Sequence, residues 1–236
     1  MNKKVILFTT TFGFIIVVLF CKNFIIEKTK TLLQIPNHNN VDTAQAAQCT
    51  YSLDHFSFHY KLDCNPPSIV MLGNSMMSRG DWQHLLHRDD IANRGIAGDF
   101  LPCIYQRTKF LQHLNAKIWF IEGGINDLDN QTPNQLLEEY KKIVNFVQNE
   151  KSIPVITLLF YVRQTNEDST AEASEVLKVN GKITELNLLL RQYANNNHLE
   201  CIDINASIAE AQTLKPEYTT DGVHLSESAY AIWANA

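Results

Sequence analysis

Five short apolar runs between residues 68 and 204, separated by longer polar or amphipathic stretches, limit what this chain can fold into more than any other feature. They are 68–73 (SIVMLG), 91–95 (IANRG), 117–124 (KIWFIEGG), 153–160 (IPVITLLF) and 199–204 (LECIDI). Runs this short and this continuously apolar read as strands covered on both faces, the usual state of parallel strands between helices. The stretch between the third and fourth runs reads as a helix. Thr132, Pro133 and Gln135 supply an N-cap, a first-turn proline and a capping-box partner, and Leu136, Leu137, Tyr140, Ile143, Val144 and Val147 then recur at helical spacing. A second helix is predicted over 175–197, with Ile183, Leu186, Leu189, Leu190 and Tyr193 on its inner side. Alternation of this kind implies right-handed crossovers and an α/β fold, a three-layer αβα sandwich around a central five-stranded parallel sheet.

The chain divides into three parts. Residues 1–27 open with Lys3 and Lys4 and continue in an almost unbroken apolar run from Val5 to Cys21, close to the length that crosses a bilayer core as helix. This segment reads as a membrane anchor that leaves an exported, periplasmic or extracellular domain attached. If it is instead a cleaved signal peptide, the domain is secreted; no small-x-small site follows the run directly. Residues 28–65 read as a stalk and N-terminal extension, and residues 66–236 as one catalytic-sized domain. With 20 Lys and Arg against 25 Asp and Glu the formal net charge is -5, which argues against nucleic acid as a partner.

Five cysteines are compatible with an oxidising compartment. Cys49 and Cys64 bracket an aromatic, partly alternating segment that can double back as a hairpin and bring the two thiols together. The alternative is that Cys49, Cys64, Cys103 and Cys201 are all small buried residues.

Side chains that do chemistry in such a sheet are expected just past the strand ends. Four segments meet that condition: Gly73-Asn74-Ser75 after the first run, NRGIAGD with Gly95 after the second, GGIND with Asn126 after the third, and TTDGVHLS with Asp221 and His224 near the chain end. Each has an ordinary reading as a cap or turn; their joint occurrence, in order, carries the weight. A serine hydroxyl becomes a competent nucleophile when a base takes its proton. His224 is the candidate base for Ser75, and Asp221 the candidate carboxylate to orient the imidazole and offset its developing charge. An acid and base three residues apart on one loop, with no Gly-x-Ser-x-Gly elbow, differ from the α/β-hydrolase pattern.

In these blocks the chain resembles the SGNH, or GDSL-type, serine hydrolases, from about Ser68 to the C-terminus. The four family letters fall on Ser75, Gly95, Asn126 and His224, and the family's Asp-x-x-His pair on Asp221 and His224. The resemblance implies a flavodoxin-like αβα fold and a serine esterase with a Ser75, Asp221 and His224 triad. It also implies an oxyanion hole made by the backbone N–H groups of Ser75 and Gly95 and the side-chain amide of Asn126, and neither cofactor nor metal. The expected partner is a small acylated substrate, a glycan or lipid ester, with the membrane met only through the N-terminal segment. One departure is visible: the family's Gly-Asp-Ser appears as Gly73-Asn74-Ser75, which removes a carboxylate beside the serine. An acyltransferase would use the same residues, and a non-catalytic binding module on the same fold would be expected to lack one of them.

Other polar residues have plainer readings. His84 and His87, and His55 and His59, are spaced to share a metal ion, but no third ligand follows at motif spacing. Asp81 reads as a helix N-cap or, with Trp82, as pocket wall. The polar segment after the fourth run is placed to border the site, and Arg163 within it could meet an anionic group or simply face water.

Overall fold

The computed structural model describes Cys49, residues 66–165 and residues 170–236. All five apolar runs form strands: β1 (Ile69–Gly73), β2 (Ile91–Gly95), β3 (Ile118–Glu122), β4 (Ile153–Thr157) and β5 (Glu200–Ile202). They pair in the order β2-β1-β3-β4-β5, every pair parallel. Because the chain leaves β1 first toward β2 and then returns to its other side for β3, the carboxyl end of β1 lies where the winding reverses. Open α/β sheets have their binding crevice at that point.

Seven helices complete the described fold: α1 (Ser75–Arg79), α2 (Trp82–Leu85), α3 (Leu101–Thr108), α4 (Pro133–Asn149), α5 (Thr170–Asn196), α6 (Asn205–Ile208) and α7 (Glu227–Ala234). A small antiparallel pair, β6 (Ala209–Glu210) and β7 (Thr213–Leu214), lies between α6 and α7. The capping box of α4 forms as its sequence predicts: Gln135 N donates to Thr132 Oγ1, and Thr132 N donates to Gln135 Oε1. Its buried face is Leu136, Tyr140, Ile143, Val144 and Val147.

Alternation along the strands builds two cores. Val70, Leu72, Trp119, Ile121 and Ile156 face the residues of α3, α4 and α5. Ile69 and Met71 face α1, α2 and α7, where Trp82, Tyr230, Trp233 and Phe160 form an aromatic group with centroids 4.8–5.9 Å apart, edge-on except for the stacked pair Tyr230 and Trp233. Trp82 is therefore a core residue, with its indole N–H donated to Met77 O at 2.8 Å. Asp81 caps α2 through His84 N.

Strand β4 stops at Thr157, short of the predicted 160, for a physical reason. Past Leu158, whose N–H still goes to Ile202 O, the chain is paired by side-chain amides in place of a strand: Asn187 accepts from Leu159 N and donates to Leu159 O, and Asn180 does the same at Val162. Asn205 adds a third clamp, donating to Leu159 O and accepting from Tyr161 N. These buried amides hold the loop that follows β4 against the sheet top.

The structure corrects the predicted disulfide. Cys49 is bonded to Cys103, in the first turn of α3, with Cα atoms 4.8 Å apart. A cysteine so engaged has no bond left for Cys64, which lies outside the described residues. The anchor and stalk, 1–27 and 28–65, lie outside them too, apart from Cys49; among the described residues no helix is long and apolar enough to cross a membrane. His55 and His59 share that position, while His84 and His87 stack edge-on with centroids 6.2 Å apart. Among the described residues no group of three or more His, Cys, Asp and Glu is placed to hold a metal ion.

Candidate active site

Three of the predicted site residues meet above the end of β1. Ser75 is the first residue of α1, and its Oγ lies 2.9 Å from His224 Nε2. His224 Nδ1 lies 2.7 Å from Asp221 Oδ2, although 149 residues separate the serine from the histidine. With Nδ1–H donated to the carboxylate, Nε2 is left as the acceptor facing the hydroxyl, the tautomer a proton-accepting imidazole needs.

Asp221 is held as an anion by its own loop. Burial pulls its pKa upward, but donation from His224 N, the His224 ring and Val223 N outweighs that and lowers it to about 2. The carboxylate therefore stays charged throughout the range in which an imidazole titrates. The loop is drawn tight by Thr219, whose hydroxyl donates to His224 O and accepts from Gly222 N. At Gly222 φ is +87°, and a Cβ would sit 2.7 Å from Arg163 O. Glycine there lets the loop lie directly on the segment after β4, where Arg163 N donates to Gly222 O. That segment thus borders the site, as predicted, through its backbone.

Asn74 resolves the one departure from the family pattern. Its Oδ1 accepts from Met76 N at 2.8 Å, which is the capping bond a carboxylate at this position would make. Ser75 N, at the first helical position, is one of the donors a helix leaves without an internal partner. Asn126 follows β3 in a short 3-10 turn, and one hydrogen of its amide goes to Asp99 O at 2.9 Å. The second hydrogen of that NH2 group is free to meet another acceptor.

Gly95 is placed differently from its predicted role. Its N–H is donated to Asn93 Oδ1 at 3.0 Å, and its missing side chain faces α1, where a Cβ would lie 2.1 Å from Ser78 N. Glycine at 95 permits β2 and α1 to touch; it does not turn a donor toward Ser75. The neighbouring Gly98 is at φ +77° in the exposed turn that follows β2. That turn is tied at one end to β1 by Ile96 N donating to Gly73 O, and at the other to Asn126 through Asp99 O.

Sequence reasoning missed the buried frame beneath these loops. Arg107, on α3 and fully buried, donates from Nε to Asp99 Oδ2 and from Nη2 to Gly73 O, both at 2.8 Å. One guanidinium thus joins the strand end before Ser75 to the turn that carries Gly98. Burial lowers its pKa against the raising pull of Asp99. Asp127 completes the frame by accepting from Leu101 N at the start of α3 and from Gln131 Nε2. Burial raises its pKa to about 7 despite the bonds from Leu101. Arg107→Met is expected to destabilise the fold by about 3–5 kcal/mol in urea titrations, because it leaves the Asp99 charge buried without its counter-ion. Asp99→Asn placed on top should recover part of that loss.

The family model for the GDSL-like Lipase/Acylhydrolase family matches residues 72–232. The chain belongs to the GDSL-like Lipase/Acylhydrolase family. The matched span contains all the loops just described. No curated protein matches its sequence. Solved structures with the same fold include a Streptococcus pneumonia protein described as a platelet activating factor, at 21% identity and TM-score 0.68, covering 81% of this chain and 91% of that one. A GDSL-like lipase from Bacteroides thetaiotaomicron is similar at 18% identity and TM-score 0.65, covering 77% and 93%. The acetyl xylan esterase AlAXEase is similar at 16% identity and TM-score 0.56, covering 71% and 96%. Relatives this distant establish a common fold.

Proposed function

We propose that this acylhydrolase is a serine esterase that removes acetyl or another short acyl group from a carbohydrate or lipid ester through an acyl-Ser75 intermediate. The observation that carries the reading is the 2.9 Å and 2.7 Å relay from Ser75 Oγ through His224 to Asp221. As Ser75 Oγ attacks the ester carbon, its proton passes to His224 Nε2, and Asp221 offsets the imidazolium charge. The tetrahedral oxygen is received by Ser75 N–H, Asn126 Nδ2–H and a second backbone donor. For that donor we assign Gly98 in place of Gly95, whose N–H is already given to Asn93. His224 then returns the proton to the leaving alcohol, and a water deprotonated by the same nitrogen releases the acid. The apolar run from Val5 to Cys21 serves as a membrane tether for an exported domain.

Acetylated substrate is favoured by likeness to a fold relative named as an acetyl xylan esterase. The test is a product assay in which the full chain meets acetylated xylo-oligosaccharide, with and without an unacetylated glycan acceptor. Release of free acetate in proportion to enzyme, unchanged by acceptor, is the expected result. Acetyl appearing on the acceptor with no free acetate would replace hydrolysis by transfer, and no reaction with this ester alongside turnover of a lysophospholipid would move the substrate class.

A further inference from the structure

Glu122 is the last residue of β3 and the register partner of Gly73, two residues before Ser75. It has no part in the relay or in the frame behind it. Strand alternation puts its side chain on the same face as Phe120, the face packed with Met71, Met76, Met77 and Tyr230. Its side chain is 1% exposed, and Oε2 has no hydrogen-bond partner among the described residues. Continuing the Ile121–Ile156 pairing by one residue sets Thr157 beside it on β4, facing away from the core that holds Ile156. Thr157 is fully buried and its Oγ1 is also without a partner. Two buried polar groups on neighbouring strands, about 5 Å apart at the backbone, each lack a bond that buried groups ordinarily make.

An ionised carboxylate only accepts hydrogen bonds and would need donors or a cation here. Two phenols feel its charge: Tyr230 from α7, whose hydroxyl is donated to Met76 O, and Tyr140 from α4, donated to Gly123 O, with Cys201 on β5 near Tyr140; the elements packed on this face also carry Arg79 on α1, His84 on α2 and Glu227 on α7. Both phenols are raised by burial first and by Glu122 next. Arg79 of α1 lowers Tyr230 but is not among the causes acting on Glu122. Asp127 adds only further negative charge.

We propose that Glu122 is a positioning residue that works as a neutral acid, keeping its proton beneath the Ser75 turn and sharing it with Thr157 through one internal water. The acid O–H donates to the water and the water donates to Thr157 Oγ1, so each buried oxygen gains a partner and the water has the two polar contacts that internal waters require. Keeping the group neutral leaves the donors that face the substrate oxygen unopposed. Ionisation would set a negative charge under the same turn and weaken them. Burial raises the Glu122 pKa to about 8.

The folded chain holds a proton that the unfolded chain releases above about 4.5, so the stabilising contribution is complete below that pH and is lost as pH rises toward about 8. The experiment is thermal melting of the full chain and of Glu122→Gln from pH 4.5 to 9, with ester turnover followed over the same range. The melting temperature of the variant minus that of the wild type is expected to rise by about 4 °C or more between pH 5 and 8 and then level off. The wild type is expected to show an alkaline fall in rate that the variant lacks. Glu122→Met removes the same titration and serves if the glutamine variant does not fold. A difference that stays flat across this range, or an alkaline fall retained in the variant, overturns the proposal. The rate arm rests on the serine-esterase reading. The melting arm does not, so the two can fail separately.

Discussion

Ser75→Ala is expected to lower kcat for ester hydrolysis by about ten-thousandfold or more while the melting temperature stays near that of the wild type. The hydroxyl removed carries the bond-forming electron pair, and no other serine or threonine hydroxyl within the described residues is bonded to a histidine ring. His224→Ala is expected to have an effect of similar size, since without Nε2 the hydroxyl keeps its proton at neutral pH. The decisive comparison is the double variant. Groups that act as one unit are strongly non-additive, so Ser75→Ala with His224→Ala should be no slower than Ser75→Ala alone. Multiplying losses in the double variant would mean that the two side chains act independently, against the 2.9 Å contact between them.

Asn126→Ala should lower kcat by about 100- to 1,000-fold with little change in KM, the signature of a donor that meets the substrate oxygen chiefly in the transition state. Because Asn126 also donates to Asp99 O, the variant loses an internal bond, and its melting temperature must be followed in parallel. A rise in KM with kcat unchanged would reassign Asn126 to ground-state binding. Asn126→Asp provides the electrostatic control. It keeps the size of the side chain but offers acceptors and a charge where a donor is required, and it should be at least as slow as the alanine variant.

Strand positions and the α4 capping box were legible in the sequence because they depend on neighbours a few residues apart. The Ser75, Asp221 and His224 set was legible for another reason: their spacing relative to the strand ends is dictated by topology, and Asp221 and His224 share one short loop. What was hidden depended on direction or on distant partners. Two glycines lie three residues apart in NRGIAGD, and nothing in their spacing reveals that the Asn93 amide occupies the N–H of Gly95 while Gly98 stands in the exposed turn. Spacing in the sequence points Cys49 to the nearest downstream cysteine, Cys64, yet its partner lies 54 residues away on α3. Arg107 carries no sequence signal of its role; its burial follows only when the end of β1 and the turn after β2 converge on it. Glu122 was hidden inside an apolar run, where a single carboxylate is easily taken as a strand end meeting water.

The frame and the relay have different jobs. Arg107, Asp99, Asp127 and the buried asparagines after β4 hold loops in place, so their loss should appear first in stability. Of the relay residues Ser75 is buried, while the His224 side chain is 20% and that of Asp221 47% exposed, and these two contribute little to packing. Stability and turnover should therefore separate cleanly between the two groups of variants.

Covalent capture of the serine is the most direct test of the central claim. The full chain would be treated with a fluorophosphonate and the adduct located by peptide mass mapping. One phosphonyl group on the peptide containing Ser75, formed far more slowly in His224→Ala and absent in Ser75→Ala, is the predicted result. An enzyme that hydrolyses ester but carries the adduct on another residue, or carries none, would contradict it.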